Sequence, residues 1–145
     1  MVPILWGRIQ TRILLTAVVG AMVTLAVVPL LPGDSPLTDR YAGAFVVLAA
    51  VAVLGIGWEL LYHLLMQFRW EKDWPSLFGL LTGVPEALLL WLLMQGGVVP
   101  LLETVPTGGA YAVHFASVWV AVWLVANGPL RVPFLRWRFR GGRLV

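Results

Sequence analysis

Residues 42–66 read AGAFVVLAAVAVLGIGWELLYHLLM, an apolar stretch interrupted only by the carboxyl of Glu59 and the imidazole of His63. A helix rises about 1.5 Å per residue, so roughly 20 such residues cross a hydrocarbon core of about 30 Å. Three more stretches of the same character lie on either side, at 13–31, 77–94 and 108–130. A backbone in lipid must satisfy its own N–H and C=O groups, which a helix does within a single segment. The continuous runs lack the period-two alternation of a membrane barrel. The expected fold is therefore all-α, a polytopic bundle of four transmembrane helices.

Composition leads to the same solvent. The 145 residues are 60% hydrophobic and 12% charged, against about 25% charged in an ordinary soluble domain. The connectors 32–41, 67–76 and 95–107 are too short to fold alone, so residues 1–145 read as one integral membrane domain. The first run follows Arg8 and Arg12, as a signal peptide would, but it is long for a signal h-region. The Leu30-Leu31-Pro32-Gly33 that ends it is no small-residue cleavage site. A retained anchor is expected. With no cysteine in the chain, disulfides and thiolate metal sites are excluded.

Basic residues set the expected orientation. Arg8 and Arg12 precede the first run, Arg69 and Lys72 join the second to the third, and Arg131, Arg136, Arg138, Arg140 and Arg143 follow the fourth. All of these fall on one side of a four-span chain, leaving Arg40 alone on the other. The positive-inside rule puts both termini in the cytoplasm, and a multi-pass protein of a bacterial plasma membrane is the expected setting. The tail 131–145 interleaves its arginines with Trp137 and Phe139. Directly after a span, this pattern suits anionic lipid headgroups better than nucleic acid, and Arg131, Arg136, Trp137, Arg138, Arg140 and Arg143 are the expected lipid contacts.

Local signals mark the ends of the runs. Pro32-Gly33-Asp34-Ser35-Pro36 stops the first, Asp73-Trp74-Pro75-Ser76 can open the third, and Asn127-Gly128-Pro129 closes the fourth. The segment 96–102, GGVVPLL, is too apolar for a wet loop. It is expected to lie along the membrane interface or to fold against the bundle. Small and polar residues recur at helical spacing: Thr16, Gly20 and Thr24; Gly55, Glu59 and His63; Gly79, Gly83 and Glu86; Ala110, His114, Ser117 and Ala121. Such stripes line helix contacts in lipid. Trp58, Trp91, Trp119 and Trp123 lie within the runs, where packing or lipid contact is their plainest role.

Four ionisable groups sit at membrane depth. Counted from the cytoplasmic end, His63 lies roughly 5 Å deep, Glu59 about 11 Å, Glu86 about 15 Å and His114 about 21 Å. If their side chains meet, they form a proton relay or ion-coupling ladder. Otherwise they are structural, with Glu86 hydrogen-bonding backbone freed by Pro85. Glu59 and His63 are spaced i,i+4 rather than as the Glu-x-x-His of di-iron bundles, and no His-Glu-x-x-His occurs. A metal centre at Glu59, His63 and Glu86, or a haem on a histidine, is thus a minor reading, and no cofactor is expected. The leading functional expectation is a small accessory or scaffolding subunit of a larger membrane assembly, partnered by another membrane protein or a second copy. The alternative is a proton-coupled transporter or relay subunit.

Overall fold

The computed structural model describes residues 5–68 and 76–131. Its regular elements are helical throughout, and four of its helices are long and apolar enough to cross a membrane. They are α1 (Leu5–Leu30), α2 (Leu37–Gln67), α3 (Leu77–Gln95) and α4 (Gly108–Asn127). α1 packs on α2 and α4, and α3 does the same, so the four form a closed up-down ring with α1 and α3 at opposite corners. The chain enters α1 and leaves α4 at the same end, called here the terminal end; the other is the distal end.

The bounds differ from the sequence expectation chiefly at the starts of α1 and α2. α1 begins at Leu5 and not at residue 13, so Arg8 and Arg12 lie within the helix instead of flanking it. Hydropathy alone breaks the run at a charge, whereas the helix continues because partners on other helices neutralise these arginines. α2 begins at Leu37 and not at residue 42, so Asp39 and Arg40 also lie within a helix, whereas α3 and α4 keep within three residues of their expected bounds. α4 ends at Asn127 ahead of Gly128 and Pro129, and Thr107 opens it by accepting a hydrogen bond from the Ala110 N–H at 3.3 Å. The basic residues Arg69 and Lys72 and the tail arginines Arg136, Arg138, Arg140 and Arg143 with Trp137 lie outside the described residues, as does the side chain of Arg131.

Prolines interrupt two spans, and at both interruptions side chains from neighbouring helices hydrogen-bond to backbone carbonyls. Pro29 supplies no N–H to the Leu25 carbonyl one turn earlier. Tyr41 of α2 donates its hydroxyl to that oxygen at 2.9 Å. Arg40 caps the same end of α1, donating from Nη2 to the carbonyls of Val28, at 2.7 Å, and Leu31. A cation among the last carbonyls of a helix also meets the negative end of its dipole. In α3 the helix breaks at Thr82 between Ser76–Leu81 and Gly83–Gln95, just before Pro85. There Trp119 Nε1 of α4 donates to the Leu80 carbonyl at 3.0 Å, and Tyr62 of α2 donates to the Thr82 carbonyl at 3.5 Å.

The interior is divided by depth. In the distal half, Val47, Val51, Leu90, Met94, Tyr111 and Phe115 form an apolar core, with Val99 and Leu102 of the 96–107 connector packed onto it. The connector thus folds against the bundle, one of the two arrangements its apolar sequence allowed. The lipid-facing surface carries residues such as Met22, Val53, Leu60, Leu88, Leu92 and Leu124. The terminal half is filled differently, by charge.

Candidate functional site: a neutral ionic cluster inside the bundle

Arg12 is the centre of this cluster. Seven residues into α1, roughly 10 Å along its axis, its guanidinium reaches carboxylates on two other helices. Nη1 donates to Glu59 Oε1 of α2 at 3.3 Å and to Glu86 Oε1 of α3 at 3.1 Å, while Nη2 pairs with Glu86 Oε2. The two-pronged contact with Glu86 matches the planar fork of a guanidinium to a carboxylate. It also spans the diagonal between α1 and α3. One turn nearer the terminal end, Arg8 Nη2 lies 2.6 Å from Glu59 Oε2, off the direction of a hydrogen bond, so the contact is ionic. Arg8 Nη1 rests on Met66 Sδ at 3.5 Å.

Two arginines thus face two glutamates, and the four formal charges cancel. That balance makes the arrangement tolerable in lipid, where a lone charge is costly and a paired one much less so, although Arg12 Nε and Glu59 Oε2 are buried without a hydrogen-bond partner among the described residues. Glu86 is only 4% exposed, and the Arg12 side chain 11%. On its remaining side Arg12 is covered by Trp119, whose ring centroid is 5.2 Å from the guanidinium carbon, a cation–π contact.

Two glycines make room for this packing. A Cβ on Gly55 would run into the Arg12 guanidinium and its Cδ, and one on Gly83 into the Trp119 indole. The Gly55-Glu59 stripe is therefore a slot for an arginine from α1 rather than a plain helix contact. Trp119 also heads an aromatic column on α4. Its ring stacks on Phe115 at 5.6 Å, Phe115 tilts against Tyr111 at 5.8 Å, and Tyr111 stacks on Trp91 at 5.2 Å. The Tyr111 hydroxyl donates to the Ala87 carbonyl at 2.8 Å.

The backbone of α1 has a feature that serves this site. Thr16–Gly20 forms a π-helical turn, one residue wider than the α-helix around it. In an uninterrupted α-helix, Arg12 and Thr24 would point about 120° apart, since twelve residues at 3.6 per turn overshoot three turns by that angle. Absorbing one residue in the wider turn reduces the divergence to about 20°. Both residues then face inward. Thr24 is fully buried, and its hydroxyl lies 2.9 Å from Nε2 of His114, itself 4% exposed.

The four ionisable positions singled out in the sequence are therefore divided. Glu59 and Glu86 come together, joined through Arg12. His114 pairs instead with Thr24 in the distal half. His63 lies one turn from Glu59, and its Nδ1 is buried without a hydrogen-bond partner among the described residues. The Glu86 carboxylate is engaged by Arg12 and not by backbone near Pro85, while Trp119 and Tyr62 hydrogen-bond the Leu80 and Thr82 carbonyls. Among the described residues no three His, Asp or Glu side chains converge on a metal-binding point. No family model matches this chain, nor does any curated protein or solved structure.

Sequence reasoning missed Arg8 and Arg12 as interior residues because it read them as topological flanks. A helical signal was nonetheless present. Arg8, Arg12 and Thr16 recur every four residues and continue the small, polar stripe of α1 outward.

Proposed function

We propose that this chain is a small accessory or scaffolding subunit of a larger assembly in a bacterial plasma membrane, with both termini cytoplasmic. The observation that carries this reading is the closure of the interior charges on one another. Each interior glutamate has an arginine beside it, and the His114–Thr24 pair stands apart from the cluster. Such a bundle holds its own helices together and turns apolar side chains outward on every span, toward lipid or toward the spans of another protein. The partner would be a second membrane protein or a further copy of this chain. The basic aromatic tail, with Arg131, Arg136, Trp137, Arg138, Arg140 and Arg143, would rest on anionic headgroups beside it.

The test is purification of the tagged chain from native membranes in mild detergent, followed by mass measurement of the intact complex. A stoichiometric larger particle supports the reading; a lone monomer under conditions that preserve other membrane complexes removes it. A proton-coupled transporter or relay is the second reading, favoured by the meeting of Glu59 and Glu86 at one arginine, with His63 a turn away. It requires pH-dependent flux in proteoliposomes that Glu86→Gln abolishes while the bundle stays folded.

A further inference from the structure

The connector between α3 and α4 divides its side chains between two environments. Val99 and Leu102 pack onto the distal core, and Leu102 Cδ1 reaches within 3.8 Å of where a Cβ on Gly43 would stand. Val98 and Leu101, between and beside them, point outward and are 64% and 86% exposed. Two residues turn the chain to achieve this. Gly97 has φ 67°, which costs a glycine nothing, but Leu101 has φ 64°, a conformation that crowds the Cβ of any L-residue with a side chain. The left-handed leucine is therefore strained while its own side chain gains almost no contact within the bundle.

We propose that Val98 and Leu101 insert into the headgroup–acyl boundary of the lipid leaflet at the distal end, anchoring the connector as a membrane-surface plug. A lipid surface suits this patch because the connector joins α3 to α4 at the distal end, where the spans themselves expose apolar side chains. Leu30 at the distal end of α1 is 82% exposed, and Val105 at the far end of the connector is also exposed. The same stretch carries no charge until Glu103, which remains free to face water past the anchor. Burial in lipid supplies the contacts that the strained Leu101 lacks within the chain. The anchor lies at the distal end, opposite the end at which the chain enters α1 and leaves α4. This inference rests on the four spans and not on the scaffolding role.

Because the chain has no cysteine, single thiols can be introduced without background. Leu101→Cys and, as an aqueous reference, Asp34→Cys would each be labelled with an environment-sensitive fluorophore. The full chain is then reconstituted in vesicles of phosphatidylethanolamine and phosphatidylglycerol carrying spin-labelled lipids. The expected result at position 101 is blue-shifted emission, stronger quenching by shallow than by deep lipid spin labels, and protection from aqueous iodide, with the reverse at position 34. Iodide quenching at position 101 equal to that at position 34, with no quenching by lipid, overturns the proposal. Protection seen in native membranes but lost in the purified vesicles also overturns it, in favour of a protein partner on the same patch. Circular dichroism of each labelled protein establishes that the bundle is intact, and Val98→Cys, labelled in the same way, provides a second position to read.

Discussion

Replacing Arg12 by methionine keeps the apolar stem of the side chain and removes the guanidinium, leaving one arginine for two buried carboxylates. Breaking a buried pair from one side typically costs about 3–5 kcal/mol, because the surviving charge is stranded. The penalty has a ceiling, however, since the stranded carboxylate can take up a proton instead. From an ordinary glutamate value of about 4.3 to an assay at pH 7, that uptake costs about 3.7 kcal/mol at 1.36 kcal/mol per pH unit. The expected loss for Arg12→Met at pH 7 is thus about 3–4 kcal/mol. Acidifying to pH 5 lowers the ceiling to about 1 kcal/mol. Removing both partners in Arg12→Met/Glu86→Gln strands no charge at this pair and should cost only about 1 kcal/mol. The assay is reversible unfolding in mixed micelles by titration with denaturing detergent, followed by helical circular dichroism. A single variant as stable as the native chain at pH 7, or a double variant no better than the single, refutes the ionic account. Should Arg12→Met fail to fold, Arg12→Lys retains the charge without the fork and should lie between the native chain and the double variant.

Other outcomes follow from the same geometry. Gly83→Ala drives a Cβ into the Trp119 ring and should destabilise by about 1–3 kcal/mol, with a shifted tryptophan emission. Gly57→Ala, which meets open space, should be neutral or mildly stabilising in the same unfolding assay. Tyr41→Phe orphans the Leu25 carbonyl beside Pro29 and should cost about 1 kcal/mol, whereas Tyr→Phe changes normally leave packing intact. Deleting Val18 from the π-helical turn should be tolerated, because a continuous α-helix would then hold Arg12 and Thr24 on one face. Inserting one alanine after Val18 should rotate one against the other by about 100°, to about 120° apart, and abolish folding, as judged by recovery of monodisperse protein from membranes.

The membrane setting, the number of spans and most of their ends were legible in the sequence because each depends on a local property. Hydropathy over about 20 residues decides solvent, and Gly128-Pro129 after Asn127 ends α4 wherever the helix happens to pack. The inward face of α1 was legible as well, since Thr16, Gly20 and Thr24 share a spacing. The start of α1 was not. A local reading ends a span at Arg12, because an arginine in lipid is unfavourable unless carboxylates distant in sequence come to meet it. Trp119 likewise read as a packing ring, with nothing nearby to reveal that it would cover a guanidinium and hydrogen-bond the broken turn of α3.

By itself, then, the sequence determined a four-span helical protein whose interior holds Glu59, Glu86, His63 and His114 at defined depths. Tertiary structure decided which of these meet. Arg12 draws Glu59 and Glu86 together, while a one-residue widening of α1 lets Thr24 hold His114 elsewhere. The physical reason is that burial in lipid is set residue by residue along the chain, whereas neutralising a buried charge requires partners that only the packing of separate helices can deliver.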